Sequence, residues 1–113
     1  MLIIPGGAVN VDLLRHHLKA LEMIQSFSKQ AKPIAVICYA PWVLINAERI
    51  QAKHLTSHQS IRLDLENAGA IWVDEAVHKC DAGGWTLISS RSPEDLPAFN
   101  QVILKELESN SSV

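Results

Sequence analysis

A chain of 113 residues, 48% hydrophobic and 19% charged, is long enough for one small folded domain and too apolar for a disordered tail. Ten Lys+Arg and twelve Asp+Glu leave a formal charge of −2 with no basic stripe, so no nucleic-acid partner is expected. No apolar run nears the roughly 18 residues of a membrane span. The opening Met1 to Ile4 is broken by Pro5-Gly6-Gly7 too early for a signal peptide, so no membrane partner and a cytoplasmic location are expected.

Leu2-Ile3-Ile4 is a short apolar run ending at Pro-Gly-Gly, the pattern of a strand running into a tight loop. A helix is predicted from Asn10 or Asp12 to about Lys29, with Leu14, Leu18, Leu21 and Ile24 as its apolar stripe. Ile34 to Cys38 is continuously apolar, which suits a parallel strand covered on both faces. Pro41 fits the first turn of a helix that fades near Arg49. His54 to Ser57 reads as a short strand, and Ser60 to Ala68 as a helix ended by Gly69. Ala70 to Val73 is predicted as a strand. Ala76 to Cys80 then folds back against Trp85 to Ser89 through Asp81-Ala-Gly-Gly84 as a hairpin. Ser92-Pro93-Glu94-Asp95 opens the last helix with a hydroxyl cap, a first-turn proline and acids; the helix passes Phe99, Val102, Ile103 and Leu107, and Asn110 to Val113 is a frayed end. Strands alternating with helices predict one α/β domain over residues 1–113 with a mainly parallel sheet.

Cys38 and Cys80 are too few for a disulfide framework, and a Cys38–Cys80 bridge has no support in the pattern. No ligand set for a metal and no cofactor motif is found, so neither is expected. Cys38 carries the chemistry. It closes a buried-type strand and is followed at once by Tyr39-Ala40-Pro41 and a helix, the layout of a nucleophile elbow. A helix N-terminus favours a thiolate, and the Gly6-Gly7 loop ends a strand of its own, so it could lie beside Cys38. The backbone N–H groups of Gly7 and Tyr39 are then the candidate oxyanion donors. The competing reading is a cysteine buried as core.

Pro5-Gly-Gly7, Lys32 to Cys38, Ala40-Pro-Trp-Val-Leu44, Leu55-Thr-Ser57, Asn67-Ala-Gly-Ala70 and Ser90 to Phe99 fall in the order and spacing of one group. The chain resembles the PfpI intracellular protease/amidase branch of the ThiJ/PfpI superfamily. The resemblance implies a flavodoxin-like three-layer sandwich, with Cys38 as nucleophile and Gly7 and Tyr39 at the oxyanion site. It also implies self-association into dimers or higher oligomers, and a peptide, amide or reactive-aldehyde carbonyl as substrate. Peptidase, glyoxalase-type and stress-protective roles all occur in the group.

The departures point the other way. The protease-like members carry His after the nucleophile where this chain has Tyr39, and a phenol is a poor general base at neutral pH. Ala40 stands where members have Gly. The acidic residue after the Gly-Gly loop falls on Val11, with Asp12 one place on. Members also begin with a strand and helix ahead of the Pro-Gly-Gly strand, carrying a Glu against the cysteine. The expectation is therefore an N-terminally truncated domain, whose Leu2–Ile4 strand exposes apolar surface and an unpaired edge that favours association. The alternative function is a non-catalytic stress-response or interaction protein that keeps the fold.

Five histidines and three tryptophans complete the inventory. His16 and His17 read as solvent-facing, and neither His54 with His58 nor His78 with Cys80 makes a metal site. His58 is a remote candidate to replace the missing base at the site edge. Trp42, Trp72 and Trp85 read as packing residues, and Arg91 as structural. The sequence also excludes two other enzyme classes. A glutamine amidotransferase needs Gly around its cysteine, where Val36 and Ala40 stand, and an α/β-hydrolase needs Gly-x-Ser-x-Gly.

Overall fold

A computed structural model describes residues 1–111. The main sheet has four strands in the order β1-β2-β6-β5. β1 (Leu2–Ile4) runs parallel to β2 (Ile34–Ile37), and β2 parallel to β6 (Leu87–Ser90), in a register that sets Val36 beside both Ile4 and Ser89. β5 (Val77–Cys80) closes the other edge antiparallel to β6, as the hairpin predicted. His54-Leu55 (β3) and Ile71-Trp72 (β4) form a separate two-stranded parallel sheet.

β2 is buried at every position because both faces of the sheet are covered. Ile34 and Val36 face one core with Leu87, into which α2 (Leu18–Lys29), α3 (Pro41–Asn46) and α4 (Arg62–Asn67) send Ile24, Leu44 and Leu65. Ala35 and Ile37 face the other with Ile88, against Phe99 and Ile103 of α5 (Leu96–Ser111). Successive side chains of a strand point to opposite faces, so one apolar run feeds two cores and three layers result.

The long first helix predicted to Lys29 is two helices. α1 (Ala8–Leu14) starts earlier than expected, and its end is tightened by His16 N–H to Leu13 O and His17 N–H to Leu14 O, both one residue short of α-helical spacing. His17 is extended, so α2 starts afresh and the stripe is reset: Leu14, Leu21 and Ile24 pack inward, while Leu18 is 69% exposed. The break sends Arg15 onto α3, where Nε donates to Asn46 Oδ1 at 2.7 Å and the guanidinium covers Trp42.

Three other boundaries differ. The helix predicted from Ser60 opens with a 3-10 turn, Gln59–Ile61, in which His58 Nδ1 accepts the Ser60 N–H. Gly69 ends it at φ 100° as expected. Ser92 makes no side-chain cap; Pro93–Asp95 is a 3-10 turn held by Arg91 on the Asp95 carboxylate, and α5 begins at Leu96. The last helix reaches Ser111, so the frayed end predicted from Asn110 is helical there, while Ser112 and Val113 lie outside the described residues.

Lys53 ties the small sheet to the hairpin. Its side chain is buried, and Nζ donates to the carbonyl oxygens of Cys80, Ala82 and Trp85 while lying 3.9 Å from the Trp85 ring centroid. Trp85 is thus more than packing. Burial pushes the Lys53 ammonium below its ordinary value of 10.5. The unfolded chain therefore holds this proton to higher pH than the folded chain, and the Lys53 contribution makes stability rise as pH climbs toward 10.5. Replacing Lys53 by Met should strand three carbonyls and cost about 2–3 kcal/mol in denaturant unfolding at pH 7. The gap between variant and wild type should change with pH through that same window; a gap of zero at pH 7 contradicts the tie.

Candidate active site

β1 and β2 run parallel and side by side, so their carboxyl ends deliver Pro5-Gly6-Gly7 and Cys38-Tyr39 to the same edge of the sheet. Open α/β sheets hold their ligands at that edge. Cys38 turns the chain from β2 into α3 with φ 65°, left-handed backbone that costs a side-chain-bearing residue about 1 kcal/mol or more. Two long-range bonds fix it there. Its N–H donates to Ser90 O at 3.1 Å, and its carbonyl accepts the His58 N–H at 2.8 Å. The thiol is free and half-buried; Cys80, also free, is buried 6% exposed and accepts the His54 N–H on its Sγ.

Gly6 is the underside of this turn. A Cβ placed there would lie 2.6 Å from Cys38 Cβ, closer than atoms can pack, and a tight 3.0 Å from Ile37 O. Gly7 has φ 104° and starts α1, its carbonyl accepting the Val11 N–H. Cys38, Gly6 and Gly7 share a hollow of about 250 Å³ with Pro5, Ile37, Pro93 and Leu96.

Tyr39 points its ring at His58. The two rings stack at 4.7 Å between centroids and 16° between planes. Ser60 joins them: its N–H donates to His58 Nδ1 at 3.2 Å, and its hydroxyl, 2.9 Å from the same nitrogen, donates to the Tyr39 hydroxyl at 3.0 Å. An imidazole is thus linked through one hydroxyl to the residue beside the cysteine. Sequence reading held His58 as a remote candidate and missed Ser60, because 20 residues of intervening chain carry no signal that the two meet.

Val11 is 1% exposed in the core, and Asp12 lies 3.9 Å from Arg15 and borders a different hollow with Ala8, Leu13 and Trp42. Neither supplies a carboxylate among the residues lining the Cys38 hollow. On the far side of the Ser92–Leu96 turn lies a polar pocket of about 390 Å³ that includes His58, Arg62, Trp72, Arg91 and Asp95. Arg91 is structural as predicted, bonded to Asp74 and Asp95, which hold its guanidinium above the ordinary value. Trp72 donates to Ser57 Oγ and carries Arg62 on its face, so its indole does more than pack. His78 pairs with Glu75, and no group of three metal-ligating side chains occurs among the described residues.

A family profile described as the DJ-1/PfpI family matches residues 1–106. The chain belongs to the DJ-1/PfpI family. It is 41% identical to General stress protein 18 of Bacillus subtilis over 107 residues, 95% of this chain and 60% of that protein. Putative cysteine protease YraA of the same organism is 39% identical, with 95% and 60% covered. Protein/nucleic acid deglycase 2 of Escherichia coli is 38% identical, with 94% and 59% covered. The crystal structure of Drosophila melanogaster DJ-1beta superposes with a TM-score of 0.84 at 31% identity, over 93% of this chain and 54% of that one. The flavodoxin-like α/β fold of the DJ-1/PfpI family is therefore this chain's fold, and the chain spans about 60% of the length of these curated relatives.

The fit of Gly6 under Cys38 gives a direct test of the turn. Gly6→Ala should destabilise the protein by about 1–3 kcal/mol, the range of an overpacked core, and should slow alkylation of Cys38. Unchanged unfolding and unchanged labelling would show that the loop does not pack as described.

Proposed function

We propose that this DJ-1/PfpI-family chain is a cysteine-dependent hydrolase or stress-protective enzyme, with the Cys38 thiolate as nucleophile toward a peptide, amide or reactive-aldehyde carbonyl. The observation that carries it is the left-handed turn at Cys38 (φ 65°), braced by two long-range bonds and opening into a hollow it shares with Gly7. Strain at a half-buried thiol at a sheet edge is the arrangement expected of a nucleophile rather than of a core cysteine.

In this reading the sulfur adds to the carbonyl carbon, forming a C–S bond. The π electron pair moves to oxygen, which the Gly7 and Tyr39 N–H groups receive. The proton then needed at that oxygen, or at the leaving group, comes from water, since no proton-donating side chain other than the Cys38 thiol lines the hollow among the described residues. The names of the relatives, a cysteine protease, a deglycase and a stress protein, agree with carbonyl chemistry in a protective setting.

The second reading, a non-catalytic stress or interaction protein, is favoured by Tyr39 where the protease-like His stands and by the burial of Val11. Cys38→Ser in a Cys80→Ser background separates the two. Loss of carbonyl turnover by at least about 100-fold supports the enzyme. Turnover that survives the substitution removes Cys38 as the nucleophile, and turnover absent from the wild type while protection of client proteins persists establishes the module.

We also propose self-association through β1. Among the described residues this strand pairs only with β2, Ile3 is 50% exposed, and an apolar groove of about 350 Å³ with Leu2, Ile4, Leu14, Met23 and Ile24 runs beside it. Ile3→Lys should lower the sedimenting mass at fixed concentration; an unchanged mass places any interface elsewhere.

A further inference from the structure

The hollow in front of Cys38 is apolar on every side. Pro5, Ile37, Pro93 and Leu96 supply its side-chain walls, Gly6 and Gly7 supply backbone only, and no charged side chain among the described residues lines it. Its volume of about 250 Å³ admits about eight water-sized groups, smaller than the usual pocket for a drug-sized ligand. The charged residues nearest in sequence to Pro93 and Leu96 are Arg91, Glu94 and Asp95. They line the polar pocket on the other side of the turn, and the Arg91 cation is already bonded to Asp74 and Asp95. A carboxylate entering the hollow would shed water and meet no cationic side chain, only the backbone N–H groups that the reacting oxygen itself needs, and the nearby surplus of acids opposes it further.

The geometry points to a specificity device: Leu96, with Pro93, selects small uncharged electrophiles for Cys38 and rejects those carrying a carboxylate. The inference rests on the reading of Cys38 as nucleophile and adds to it the class of group that reaches the sulfur. Leu96 is the residue to vary, because it opens α5 and is 40% exposed, so a charge placed there remains solvated.

Iodoacetamide and iodoacetate deliver the same reaction with and without a charge. The thiolate attacks the CH₂ carbon, a C–S bond forms as the C–I bond breaks, iodide leaves and the thiol proton passes to solvent. The measurement is the ratio of the two alkylation rates for Cys38 in the Cys80→Ser protein, divided by the same ratio for 2-mercaptoethanol. The expected quotient is about 10 or more in favour of iodoacetamide, equivalent to 1.4 kcal/mol. Leu96→Lys should bring it down at least threefold, and Leu96→Glu should raise it. A quotient near 1, or one that neither Leu96 variant moves, overturns the specificity device while rapid labelling leaves the nucleophile standing. A Cys38 inert to both reagents in the folded protein, yet labelled after unfolding, overturns both together.

Discussion

The structure turns on a backbone conformation at one residue. Cys38 must leave β2 in a left-handed turn for α3 to follow, and nothing in its own side chain favours that. The turn is held from outside, by the Ser90 carbonyl of β6 on one side and the His58 N–H on the other. It is possible sterically only because residue 6 has no side chain. Three separated segments therefore converge on one peptide unit. A cysteine placed this way is neither free to sink into the core nor free to relax.

The central sheet makes that convergence affordable. β2 is apolar along its length because it feeds two cores, and each core is closed by a different set of helices. With β1 and β6 in parallel on either side of β2, their carboxyl ends bring the Gly6-Gly7 loop and Ser90 to the cysteine. The hairpin partner β5 is fastened from behind by the Lys53 ammonium, whose bonds to three carbonyls offset part of the cost of burying it. The positioning of the thiol is thus the last consequence of sheet order rather than a local property of the turn.

Much of this was legible along the chain. The continuous apolar run from Ile34, the proline at 41 and the glycines at 6 and 7 each carry a local physical meaning, so the strand, the turn and the loop could be read directly. The break at Arg15–His17 was not, because the leucine spacing runs through it unbroken; it shows only in the extended backbone of His17 and in Arg15 meeting Asn46 and Trp42 of α3. The cap at Ser92 failed for a similar reason, since Arg91 on the Asp95 carboxylate and a 3-10 turn took over that helix start.

The sequence by itself determined the α/β class, the pairing of Cys38 with a strand end, and the absence of a conventional base beside it, because these depend on periodicity, turn chemistry and residue identity at adjacent positions. Only the tertiary structure decided that Gly6 lies under the cysteine, that His58 and Ser60 reach Tyr39, and that Pro93 and Leu96 wall the hollow. Those contacts join residues 19 to 58 positions apart. Their distances are set by sheet order and helix packing, which no local pattern encodes.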